Sequence, residues 1–135
     1  MEYRDALREL KSYPKLVLRS KRLLENIKEL EQKISSAKTQ QIDDMPHGSG
    51  KNSDLSDYII TKEEIENRRK KTIEHIAEIE NKIYLMEDDE LSEIVRLRYK
   101  DELNWSEVGN QFDKSESWAK SKNKYAVESY MKVGV

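Results

Sequence analysis

The chain has no cysteine, so neither a disulfide framework nor a thiolate metal site is available to it. No apolar run approaches the roughly 20 residues needed to span a membrane. The opening MEYRDALREL is too charged for a signal peptide. A cytoplasmic protein is therefore expected. Two prolines and one phenylalanine, set against 39% charged and 36% hydrophobic residues, suit long solvated helices better than a large globular core. Charge of one sign is also lacking: the net charge of −2 argues against a protein that coats nucleic acid indiscriminately. There is no nucleophile elbow and no glycine-rich nucleotide loop, and neither of the two histidines has a partner for nucleophilic or zinc chemistry. A binding protein is expected, with no catalytic residue, metal or cofactor.

Helical periodicity starts at once. Ala6, Leu7 and Leu10 mark an amphipathic opening, and Pro14 is expected to interrupt or restart the helix. Beyond it Leu16, Leu23, Leu30 and Ala37 repeat every seven residues, with Ile27 and Ile34 in the alternate heptad position. This is a coiled-coil-like seam, weakened at its ends by Ser20 and Gln41. Lys15, Arg19, Lys21 and Arg22 beside it suit either phosphate contact or a solvated face. Residues 1–40 thus form an N-terminal helical segment, with ten lysines and arginines against six acids.

Periodicity stops in residues 41–57, QIDDMPHGSGKNSDLSD, which read as a flexible polar linker. Its GSGK lacks a second glycine at the set spacing, the following Ser or Thr and the preceding strand of a phosphate loop. His47 with Asp43 or Asp44 has no second histidine nearby to complete a metal site, and a surface loop is the simpler reading. Helical order resumes over 58–87, where Thr61 and Glu64 have capping-box spacing. Ile65, Thr72, Ile79 and Met86 form one heptad line, and Arg69, Ile76 and Ile83 the other. This second long helix is expected to pair with the first, within one chain as a hairpin or between chains as a dimer. His75 falls beside the Ile76 line and reads as a partly exposed surface residue.

Residues 88–135 are the most informative. Glu87 to Glu90, EDDE, precede Leu91 and suit a helix start, where acids complement the dipole; a docking patch for a basic partner is the other reading. Val108 and Phe112 share one face of a short helix, and Ala119 and Ala126 stand one heptad apart on the next. Asp113 and Lys114 make the turn, and Ser115 sits where an N-cap belongs. Gly109 falls where the two helices would cross, permitting close packing, unless it is a tolerated defect. Short helix, tight turn and second helix together have the form of a helix-turn-helix DNA reader.

VGNQFDKS, followed by Ala119, Tyr125 and Ala126, closely resembles the helix-turn-helix of sigma-factor region 4. Ile94, Leu97 and Tyr99 look like the preceding helix of that domain, with Trp105 and Ser106 opening the next. At the start of the reading helix, where sigma factors place arginines and a glutamate, this chain has Glu116, Ser117 and Lys120, so the promoter preference does not carry over. The whole layout, including the MPHGSG stretch, resembles the small late-gene transcription regulators of Gram-positive phages and prophages, the autolysin-regulator type among them. That resemblance implies an activator of phage late genes that cooperates with host RNA polymerase.

The expected fold is all-α: a long helical hairpin followed by a sigma region 4-like helix-turn-helix. Ser115 to Ala126 is expected in the major groove of double-stranded DNA, with Ser115, Glu116, Ser117, Lys120, Ser121 and Lys124 as the DNA-binding residues. Glu116 can accept from a cytosine amino group, the serines can bond base edges or phosphates, and the lysines can reach guanine or phosphate. Trp118 either packs on the preceding helix or reaches the DNA backbone. Residues 105–135 carry five cations against four acids, so one copy is expected to bind weakly and to need a homodimer or a partner on the DNA. Two other classes remain open: a small terminase subunit that recognises a packaging site, and a module that grips RNA polymerase without touching DNA.

Overall fold

The structure, a computed structural model, describes residues 1–43 and 50–134. It is all-α, with five α-helices and no strand among the described residues: α1 (Tyr3–Asp43), α2 (Gly50–Tyr84), α3 (Asp89–Val95), α4 (Trp105–Gln111) and α5 (Glu116–Met131). A π-helical turn, Arg96–Lys100, continues α3. No helix among the described residues is long and apolar enough to cross a membrane.

Two compact units divide the chain. The larger joins residues 1–17 to 74–135, and the smaller is Leu18–Ile73, so α1 and α2 each contribute to both. The larger unit therefore takes in more chain than the 88–135 module expected from sequence. Its core runs through Ala6 and Leu10 of α1, Ile79 and Ile83 of α2, Ile94 and Val95 of α3, Val108 of α4, and Ala126, Val127 and Tyr130 of α5. Glu80 fastens three elements together, accepting from the Tyr13 hydroxyl at 3.1 Å and pairing with the Lys100 ammonium at 2.9 Å. That bond holds Lys100 above its ordinary pKa, and burial raises that of Tyr13. Lys82 pairs with Glu9 at 3.2 Å, and together with the Tyr13–Glu80 bond this sets α1 and α2 antiparallel here.

In the smaller unit the same two helices pair alone. Arg69 Nε donates to the Ser20 carbonyl at 3.2 Å, and the Lys33 ammonium lies 5.7 Å from the centre of the Tyr58 ring. The pairing left open by sequence is thus antiparallel and within the chain. The heptad lines hold: Ile27 and Thr72 are buried, and Leu23, Leu30, Ile34, Ile65 and Arg69 are half-buried. Ser20, expected to weaken the seam, is buried in it at 8% exposure, because its small side chain lets Arg69 reach the backbone behind it.

Three local expectations give way. α1 runs unbroken through Pro14, although a proline inside a helix costs about 3 kcal/mol. Leu10 and Tyr13 before it and Leu16 and Val17 after it all pack on one core, and that burial outweighs the lost backbone bond. α2 starts at Gly50, so Thr61 and Glu64 are exposed helix-interior residues and no capping box forms there. The polar segment 41–57 is helical at both ends, since α1 reaches Asp43 and Tyr58 extends the half-buried face of α2 upstream. Asp44 to Ser49, including His47 and most of the MPHGSG stretch, lie outside the described residues.

Candidate nucleic-acid interface

Local sequence sets each helix boundary around the candidate reader. Asp88 caps α3, accepting from the Leu91 amide at 2.9 Å, and Asp89 and Glu90 occupy the first turn. The acidic run is therefore a helix start, as its dipole complementarity suggests. The π-helical turn closes with the Asp101 amide on the Arg96 carbonyl at 2.9 Å, and it leaves both Leu97 and Tyr99 buried. Asn104 then caps α4 in a reciprocal box with Glu107, at 2.8 Å and 3.2 Å. The N-x-x-E spacing of Asn104 and Glu107 is the local signal for this start.

The turn between α4 and α5 is a Schellman closure. The Lys114 amide donates to the Gly109 carbonyl at 2.9 Å and the Asp113 amide to the Asn110 carbonyl at 3.2 Å, with Asp113 left-handed at φ +56°. Gly109 is the closest approach. A Cβ there would lie 2.6 Å from the Ser115 carbonyl oxygen and 2.8 Å from that of Lys114, so only glycine lets the turn fold onto α4. Ser115 caps α5 as expected, accepting from the Trp118 amide at 3.1 Å.

Helix α5 is thereby clamped by one face. Ala119, Ala126 and Val127 are fully buried, and their small or branched side chains let the helix sit close on its neighbours. The buried Tyr99 hydroxyl donates to Asn123 Oδ1 at 2.6 Å, and burial pushes its pKa up to about 12. Trp118 is half-buried, with its ring 5.3 Å from that of Phe112, so it packs on α4. Lys122 lies 5.6 Å over the Trp118 ring and pairs with Glu90 at 3.6 Å, which binds it to the start of α3.

All six residues singled out from the sequence are exposed. Ser117, Lys120, Ser121 and Lys124 follow the i, i+3, i+4, i+7 spacing and share one face opposite the buried one. Glu116 pairs with Lys120 at 3.3 Å, both side chains more than half exposed, so water screens the pair and it opens cheaply. Ser121 donates to the Trp118 carbonyl at 2.6 Å, which leaves its oxygen able to accept. Two residues were missed. Tyr125, one turn past Ser121, is 57% exposed and extends the face; its i+4 spacing was the signal. Asn123 holds the helix through Tyr99, a partnership 24 residues apart that no local pattern reveals. Among the described residues no group of three His, Cys, Asp or Glu side chains converges as a metal site. Compared with known proteins, the chain matches no family model, no curated protein and no solved structure.

Proposed function

We propose that the protein is a sequence-specific DNA-binding transcriptional regulator of the cytoplasm, a phage or prophage late-gene activator that works with host RNA polymerase. One observation carries the reading: α5 is clamped on its Ala119–Ala126 side and offers Ser117, Lys120, Ser121 and Lys124 as a polar outward face. A helix held in that way, with Glu116 and Ser117 exposed at its N-terminal end, suits the major groove. The resemblance to sigma region 4 and to the phage regulators supplies the target class. The face carries little net charge, since Glu116 offsets Lys120 and leaves Lys124, and weak single-copy binding then calls for a homodimer or for polymerase already on the promoter.

The test is selection of bound fragments from the source genome at about 150 mM salt, where non-specific phosphate binding is much weakened, with and without RNA polymerase. Enrichment of one promoter-proximal site supports the regulator, and half-site spacing reports its symmetry. Lys120→Ala should weaken binding to that site and, where the contact is to phosphate, lower the salt slope by about 1. The same near-neutral face also favours a polymerase-gripping module; retained polymerase binding with no DNA enrichment in either arm would establish that reading instead. Ring assembly with a packaging site would indicate a small terminase subunit.

A further inference from the structure

The larger unit carries a second charged surface that the α5 face does not use. Residues 1–17 hold four cations, Arg4, Arg8, Lys11 and Lys15, and three acids, Glu2, Asp5 and Glu9. At about 100° per residue the four cations fall within an arc of about 60° on α1, away from the side that buries Ala6, Leu10 and Tyr13. The acids lie off that arc, and Glu9 points at Lys82, 3.2 Å away. All four cations are exposed and line an open groove of about 390 Å³. Among the described residues none of them lies within 4.0 Å of a carboxylate.

Such an arrangement works against the helix that carries it. Arg4 with Arg8 and Lys11 with Lys15 are like charges at i, i+4, each pair costing a few tenths of a kcal/mol, and Arg4 in the first turn offsets the favourable dipole interaction of Asp5 beside it. Further along α1 the opposite rule applies, with Glu25 before Lys28 and Glu29 before Lys33. The rest of the larger unit is acidic as well: residues 74–135 hold nine cations against fourteen acids. A stripe that local helix energetics disfavours, in an acidic surrounding, points to an anion outside the chain.

We infer that Arg4, Arg8, Lys11 and Lys15 form a second DNA-contacting surface, a rail for backbone phosphates that supplies the sequence-independent affinity the near-neutral α5 face lacks. The inference rests on the DNA-binding reading above. The stripe rises about 16 Å along the helix, a length over which one strand of B-DNA presents about five phosphates. A protein partner would require a buried apolar anchor, whereas Leu7, half-buried, is the one apolar side chain lining the groove. Continuous phosphate charge requires no such anchor.

The experiment uses the full chain and three variants: Arg4→Gln/Arg8→Gln/Lys11→Gln/Lys15→Gln, the milder Arg4→Gln/Lys15→Gln, and Ser117→Ala/Lys120→Ala. Each is titrated against a random-sequence duplex and the genome-selected fragment between 50 and 200 mM salt, with helicity checked by circular dichroism. Four lost phosphate contacts flatten the salt slope by about 3.6, so over that range the affinity of the unmodified chain for random duplex falls about 10²-fold further than that of the quadruple variant. For the double variant the difference is about 10-fold. Preference for the selected fragment persists in both, and is lost in Ser117→Ala/Lys120→Ala. Unchanged slopes in correctly folded stripe variants overturn the rail while leaving the α5 reader standing. A stripe-dependent slope with no site preference in the unmodified chain overturns the reader and keeps the rail. Absence of any DNA binding overturns both.

Discussion

In the unit made of residues 1–17 and 74–135, fifteen hydrophobic side chains are buried in one cluster; in residues 18–73 the described buried set is Ile27 with the polar Ser20 and Thr72. Both units draw on α1 and α2, but in the second the seam carries Ser20, Arg69 and Thr72. The larger difference lies in what each pair of helices meets. Two helices alone bury one narrow stripe each, and Leu18, Ile60 and Ile73 stay exposed for want of a third layer. Where α3 to α5 cover the pair, the same pattern becomes a core. Heptad spacing thus specifies which residues face inward, and the number of layers determines how far they are removed from water.

The largest break in this contrast should come from Leu10→Ala. Its side chain is fully buried, so a loss of about 3 kcal/mol is expected in denaturant unfolding followed by tryptophan fluorescence. A loss below about 1 kcal/mol would show that the first turns of α1 are not part of that core. Gly109→Ala should cost about 2 kcal/mol, because the new methyl meets backbone carbonyls that no rotamer change can move. On the proposed DNA-reading function, it should also abolish site-specific binding by shifting α5. Ile27→Ala should cost about 2 kcal/mol, less than Leu10→Ala, and hydrogen exchange should show the amides of residues 18–73 speeding up while those around Ile94 and Val127 keep their protection. Equal acceleration everywhere would mean that the two units unfold as one.

The smallest effect concerns Tyr99. Tyr99→Phe loses the bond to Asn123 and should cost about 1 kcal/mol near neutral pH. Its pH dependence runs one way. Burial raises the folded phenol from 10.0 to about 12, so below pH 10 both states are neutral and stability is level. Between pH 10 and 12 the unfolded chain ionises first, and stability falls as pH rises. Burial also raises Tyr130, which acts in the same direction. Alkaline titrations of unfolding should therefore slope less steeply in Tyr99→Phe than in the unmodified protein. An identical slope would remove Tyr99 from the linkage.

Much of the candidate reader was legible because its signals are short-ranged. Ser115 and Asp88 cap amides three residues on, and Gly109 accepts a turn only five or six residues away. The outward position of Ser117, Lys120, Ser121 and Lys124 follows from the buried one of Ala119 and Ala126. Misreadings occurred where a local signal competed with distant burial. Pro14 is a helix breaker overruled by the core on either side of it, and Thr61 with Glu64 is a capping box overruled by a helix already running. Asn123 carried no local mark of its role, since its partner Tyr99 lies 24 residues away.

By itself, then, the sequence determined an all-α chain, the starts of α3, α4 and α5, the close turn at Gly109 and the polar face of α5. These depend on caps, backbone conformation and helical period, which act over a few residues. Tertiary structure alone decided that α1 and α2 pair within the chain, that residues 1–17 belong to the same compact unit as α5, and that Tyr99 and Asn123 secure the candidate reading helix. Those outcomes depend on which apolar surfaces meet across tens of residues, and burial is non-directional: it rewards any partner that excludes water, and only the assembled layers select one.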